Sequence, residues 1–261
     1  MAQIINTDGI VLKRTEAGDS GFYLKVLSPV YGTIDVTARG AKKQGAKNSA
    51  ASQLLACSGM SLSVSKGRYY LESSEIINSF YNVRLDVVKL SLAAYFSQII
   101  LTVCTENQSA QDIYRLFTNS LYMLGKDDTD PEFIRFIFEM RIMGDIGFLP
   151  RLLGCAECYR TEPIMYFSPK SGIFLCPDHL GDEHGFIGLS ASAMEAMRYV
   201  CLKDMEHLFS FRLSQKALRT LTQISEKYII LQLDREFDTL SYYKRMLSDM
   251  HTVCPPDPSP Q

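Results

Sequence analysis

Several features that commonly reveal where and how a chain works are missing from this one. Its start, MAQIINTDGIVLKR, lacks a basic segment followed by an apolar core, so no secretory leader is expected. The longest strongly apolar, uncharged run, Leu90 to Thr105, is sixteen residues long and includes Ser, Gln and Thr, which falls short of a membrane span. There is no G-x-x-x-x-G-K-[ST] phosphate loop, no G-x-S-x-G nucleophile elbow, and no H-x-E with P-C-x-x-C deaminase pattern. His207 and His251 have no obvious Ser, Cys or carboxylate constellation. These absences argue against a membrane protein and against enzymatic turnover. Acid is also missing between Val36 and Leu71, where Arg39, Lys42, Lys43, Lys47, Lys66 and Arg68 stand unopposed. The chain as a whole has a net charge of −2, but residues 1 to 80 carry nine bases and six acids, a balance of +3 that leaves −5 for the rest. A local electropositive patch on a mildly acidic protein points to a polyanion.

What is present most conspicuously is CAECYRTEPIMYFSPKSGIFLCPDH, Cys155 to His179. Cys155 and Cys158 form one C-x2-C pair, and Cys176 with His179 forms a second pair of equal gap, seventeen residues later. A two-residue gap lets a tight turn bring two side chains onto one metal, so two such turns supply four N/S ligands of a tetrahedral zinc site. Four protein ligands leave no open position, so one structural zinc ion is expected, with no chemistry of its own. His184 could replace His179; we favour His179 because it repeats the first turn. The remaining cysteines, Cys57, Cys104, Cys201 and Cys254, are scattered, as expected for a reduced, cytoplasmic protein.

A length of 261 residues, 46% hydrophobic and 21% charged, suits a globular chain of two domains. Strand-like runs, Gly9–Lys13, Phe22–Leu27, Thr33–Thr37, Met60–Ser65 and Arg68–Glu72, predict a small closed β-barrel over residues 1–79. Gly40 to Ala51, small and basic, reads as a mobile loop. From Ser79 the period becomes helical: one long amphipathic helix through Leu85 to Val103, a second capped by Ser109 and Asp112, and a third opened by Asp130-Pro131-Glu132. Ser192 with Glu195, and Ser214, should cap two more, and a last helix should run from Thr239 to Met250. The expected architecture is α+β: a barrel at 1–79, a helical domain at 80–250 with a zinc-binding segment at 153–180, and a disordered tail at 251–261.

Arg39-Gly-Ala-Lys-Lys43 with Lys47 is the best functional candidate outside the metal. It is flanked by strands bearing Tyr23, Tyr31, Tyr69 and Tyr70. Basic side chains on a small barrel can track a phosphate backbone, and exposed aromatics can stack on unpaired bases, although strand alternation sends one of Tyr69 and Tyr70 inward. Two rival readings stand beside DNA binding: a zinc-containing protein–protein adaptor, and a metal-dependent enzyme acting on nucleic acid.

Gly9-Ile-Val-Leu12, Gly32-Thr-Ile-Asp-Val-Thr-Ala-Arg-Gly-Ala-Lys-Lys43, Phe138-Glu-Met-Arg141 leading to Gly147-Phe-Leu-Pro150, and the cysteine block with Ser171-Gly172-Ile-Phe-Leu-Cys176 together resemble the RecO family of bacterial recombinational repair proteins. The resemblance implies an amino-terminal OB-fold joined to a helical domain bearing a zinc finger. It implies a non-enzymatic mediator that binds single- and double-stranded DNA, anneals complementary strands, and with RecR helps load RecA onto DNA coated by single-strand-binding protein. It further implies contact with the acidic carboxyl-terminal tail of that protein and a cytoplasmic, nucleoid-associated location. Arg39, Lys42 and Lys43 match the family's DNA-contacting basic segment; Lys47 is added on charge alone.

Overall fold

A computed structural model describes residues 3–43, 45–182 and 184–253. Five strands, β1 (Gln3–Ala17), β2 (Gly21–Ser28), β3 (Gly32–Ala38), β4 (Cys57–Ser65) and β5 (Arg68–Asn78), close into a barrel in the order β1-β2-β3-β5-β4. All pairings are antiparallel except β3 with β5. Alternation drives the closure: Leu24 and Val26, Ile34 and Val36, and Leu62 face inward into one core with Val11 and Tyr69. The strands are longer than their apolar runs because bulges between Val11 and Lys13 and between Ser61 and Leu62 let β1 and β5 bend and go on pairing.

The basic segment after β3 differs from the loop expected there. It is a chain of tight turns, with Lys43 N–H on Gly40 O at 3.2 Å and Ala46 N–H on Lys43 O at 3.0 Å. Asn48 fastens it to β5, accepting from Ser74 Oγ at 2.9 Å, while Ala41, Ala51, Leu55 and Ala56 are buried.

The expected helix through Leu85 is two: α1 (Tyr81–Leu85) and α2 (Val87–Val103). Asp86 stops the first in extended backbone and caps the second, accepting from Val88 N at 2.8 Å and Lys89 N at 3.0 Å. α2 is buried from Val88 to Ile100 on most sides, so it is a core helix and not an amphipathic surface one. α3 (Gln111–Leu124) starts from Ala110 with no side-chain cap; Ser109 instead reaches Pro29 O. Asp130 does cap α4 (Pro131–Asp145), and Ser214 caps α7 (Gln215–Leu233), as expected. α6 (Ala191–Leu202) is capped by Ser190, two residues before the expected Ser192. α8 runs Asp238–Val253, so the first three residues of the tail expected to be disordered over 251–261 belong to a helix; the rest, from Cys254, lies outside the described residues.

Between α4 and α6 lie β6 (Ile164–Ser168), β7 (Ile173–Leu175), the one-turn α5 (Pro177–Leu180) and β8 (Ile187–Ser190), with the sheet ordered β7-β6-β8. None of these strands was expected. The chain divides into two compact units: one joins the residues up to Gly125 to those from Asp238 onward, and the other is Lys126–Phe237. The change from strands to helices near residue 80 therefore falls inside the first unit. In the second, α4 and α7 are cross-linked by buried Arg135, which bonds Glu132 (2.7 Å), Glu139 (3.2 Å) and Glu226 (3.1 Å), while Ser225 donates to Glu139. Those three carboxylates hold the guanidinium pKa above its ordinary range against the opposing effect of burial.

Candidate metal centre and nucleic-acid interface

The metal turn is built by backbone before any ligand is considered. Cys155 N–H donates to Arg160 O at 3.0 Å and Tyr159 N–H to Cys155 O at 2.9 Å, which folds the first C-x2-C into a closed knuckle. Gly154 permits this: at φ 153° a Cβ there would lie 2.6 Å from Tyr159 O. Ala156 N–H then donates to Phe174 O at 2.8 Å, tying the knuckle to β7, which delivers Cys176. Pro177 opens α5 and His179 N–H returns to Cys176 O at 3.1 Å, so the imidazole swings back towards the thiols.

As a result, the ligand atoms of Cys155, Cys158, Cys176 and His179 all lie within 4.8 Å of one another. Cys158 Sγ is 3.8 Å from Cys176 Sγ, and His179 Nδ1 is 3.1 Å from Cys176 Sγ and 3.8 Å from Cys155 Sγ. Tetrahedral zinc bonds of about 2.3 Å to sulfur and about 2.0 Å to nitrogen put sulfurs about 3.8 Å apart and sulfur and nitrogen about 3.5 Å apart. The group fits a metal ion of that kind. His184, the other candidate, is exposed and outside the group.

Burial pushes the Cys155 thiol up, but the N–H groups of Cys158, Cys176 and Glu157 outweigh it and bring it down to about 6, in the thiolate range at neutral pH. Burial raises Cys57 and, among the four grouped residues, Cys176; it moves Cys104 to about 11 and Cys201 to about 12. Just outside the ligands, the Arg160 guanidinium hydrogen-bonds Cys158 and sits 3.7 Å from Asp178.

The cysteine segment is moored to helices by residues that sequence reasoning missed. Tyr228 Oη donates to Phe148 O at 2.9 Å and its ring meets Phe167 edge-on at 5.8 Å. Gln232 Nε2 donates to Pro169 O at 3.0 Å and Lys170 O at 2.9 Å, and Arg198 Nε to Leu152 O at 2.6 Å.

The four basic candidates lie on the barrel unit, and two of them, Arg39 and Lys47, line different hollows. Arg39 is exposed, its guanidinium 4.2 Å from the centroid of the Tyr70 ring. Lys42 is already engaged, 2.9 Å from Glu16 and 3.0 Å from Gly18 O; that contact holds the Glu16 carboxyl below its usual range. Lys43 is exposed. Lys47 is exposed too, and lines a separate hollow of about 660 Å³ with Asn6, Ser61 and Ser74. Of the tyrosines, Tyr69 is buried and Tyr31 packs against the core, which leaves Tyr23 and Tyr70 facing outward. His207 is exposed; its carbonyl accepts from Tyr199 and Ser210 and its backbone N–H donates to Asp204 O at 3.1 Å. No helix among the described residues is long and apolar enough to cross a membrane.

Comparison with known proteins adds an independent line. Residues 1–80 match the family model described as Recombination protein O N terminal, and residues 84–241 match Recombination protein O C terminal. DNA repair protein RecO of Acetivibrio thermocellus is 34% identical over 243 residues, 93% of this chain and 97% of its own. The proteins of that name from Alkaliphilus metalliredigens and Symbiobacterium thermophilum are each 27% identical, over 93% and 94% of this chain and 100% and 98% of their own. Two models that between them span the barrel, the cysteine block and the helices up to the start of α8 leave one conclusion: the chain belongs to the RecO family.

Proposed function

We propose that the chain is a DNA repair and recombination mediator without enzymatic activity. In this reading the barrel is an OB-fold that holds single- and double-stranded DNA, and the second unit, braced by one structural zinc on Cys155, Cys158, Cys176 and His179, docks partner proteins. The observation that carries it is the β1-β2-β3-β5-β4 closure with an acid-free basic segment after β3, since closed barrels of this kind present oligonucleotide-binding faces. The relatives' common name supports a role in DNA repair. Arg39, Lys43 and Lys47 neutralise phosphates, and Lys42 joins them only when it releases Glu16. Annealing follows because the basic segment offsets repulsion between two backbones and leaves the bases free to pair. With RecR, the protein helps RecA replace single-strand-binding protein, whose acidic tail it contacts.

The test is strand annealing by purified protein of known metal content, with complementary oligonucleotides, against a variant with Arg39, Lys42, Lys43 and Lys47 all replaced by Ala. Annealing lost in the variant at unchanged zinc content is the expected result; annealing unaffected by the substitutions would contradict it. One observation favours protein docking as well. Leu153 and Leu202, 85% and 62% exposed, line an apolar hollow of about 290 Å³ beside Cys155. A pure adaptor would work through such a surface alone and be indifferent to the four substitutions.

A further inference from the structure

The outer face of the barrel carries a row of side chains that the basic residues do not explain. In the strand register Thr15 lies beside Tyr23, Tyr23 beside Thr37, Thr37 beside Tyr70 and Tyr70 beside Ser63. Their chain neighbours Leu24, Val36, Ala38 and Tyr69 are in the core, which fixes the row on the outside. Neighbouring strands are about 4.8 Å apart, so the two tyrosines, two strands apart, stand about 10 Å from each other on one face. Tyr23 is 59% exposed. Tyr70 bears the Arg39 guanidinium against its ring, and with Thr37 and Arg68 these residues line a groove of about 580 Å³.

The distribution of charge decides what such a groove accepts. Asp35 and Glu106 line it too. Asp35 is paired with Lys25 at 2.7 Å, and the Tyr69 hydroxyl has its pKa raised first by burial and then by the nearby Glu106 carboxylate. Two carboxylates disfavour phosphate inside the groove, whereas aromatic rings and a guanidinium plane favour a flat, uncharged π-system. A nucleobase has that chemistry; its phosphates would run along the outside, past Arg39 and Arg68. A duplex keeps its bases stacked and presents phosphate, so it has nothing to insert.

We propose that this groove takes unpaired nucleobases, with Tyr23 and Tyr70 as stacking surfaces and Arg39 held in place by Tyr70. The proposal deepens the nucleic-acid reading of the barrel and rests on it. It makes discrimination between single and double strands a property of the tyrosine row, and general affinity a property of the basic side chains.

The chain contains no tryptophan, so Tyr23→Trp in the full-length protein gives a single indole that can be excited apart from the tyrosines. Titration with an oligo-dT strand should change that emission, and titration with a blunt hairpin duplex should leave it unchanged. Tyr23→Ala and Tyr70→Ala should each weaken oligo-dT binding about tenfold while duplex binding changes far less, Tyr23→Ala should leave the salt slope unaltered, and the Phe variants should bind like the unmodified protein. Tyrosine variants that match the unmodified protein on oligo-dT, or that lose equally on duplex, would overturn the groove while leaving the barrel reading intact. Failure of the unmodified protein to bind either form would overturn that reading, and the groove with it.

Discussion

The five-stranded barrel and the three-stranded sheet beside the cysteines are both small, and they solve the same problem from opposite ends. The barrel strands are long enough to close on themselves, so Leu24, Val26, Ile34, Val36 and Leu62 meet in a core of the barrel's own. β6, β7 and β8 have five, three and four residues and close on nothing. Met165, Phe167 and Phe174 are nonetheless fully buried, because Tyr228 of α7 packs on Phe167 and side chains of α6 and α7 hold the loops. A sheet that cannot enclose an interior takes apolar cover from helices, and backbone bonds fold the turns that bring Cys155, Cys158, Cys176 and His179 together. One region is stabilised by its own core and the other carries a group able to hold a metal ion, so the two should fail under different insults.

The largest separation should come from removing metal. A structural zinc contributes on the order of 10 kcal/mol of apparent binding energy, so chelation should abolish hydrogen-exchange protection at Tyr159 and His179 while Leu24 and Ile34 keep theirs. Protection lost equally in the barrel would erase the distinction. Next, Ile34→Ala should cost the barrel about 2–5 kcal/mol by urea unfolding, with one zinc per chain retained. Smaller again is Gly172→Ala. At φ 65°, with a Cβ 3.1 Å from Tyr228 Oη, it should destabilise the cysteine segment by about 1–3 kcal/mol, read as easier zinc loss to a competing chelator. The mildest is Tyr228→Phe, which deletes one hydroxyl donor to Phe148 O and should cost about 1 kcal/mol in the same assay.

Legibility followed how local the determining physics is. The grouping of Cys155, Cys158, Cys176 and His179 could be read because two turns of fixed length bring the side chains together whatever surrounds them. Asp130 and Ser214 could be read because a cap is decided within three residues. Ser109 and Ser192 carry the same sequence signal, yet Ser109 reaches Pro29 and the Ser190 side chain takes Ala193 N–H two residues earlier, so competing hydrogen bonds decided the outcome. Asp86 was passed over because the apolar period runs straight through it, although its own carboxylate ends one helix and starts the next. The tertiary anchors, Tyr228, Gln232 and Arg198, leave no mark in sequence, since each bonds a carbonyl at least 46 residues away. Charge alone also could not tell that Lys42 is held by Glu16, or that Arg39 and Lys47 line different hollows.

The most direct test of the account measures binding of a single strand against salt concentration, for the unmodified protein and for one carrying Arg39→Ala, Lys43→Ala and Lys47→Ala. Each phosphate neutralised contributes about −0.7 to the log-log slope, so the three substitutions should make the slope shallower by about 2, with zinc content unchanged. An identical slope in both proteins would contradict the claim that this barrel grips nucleic acid through its basic segment.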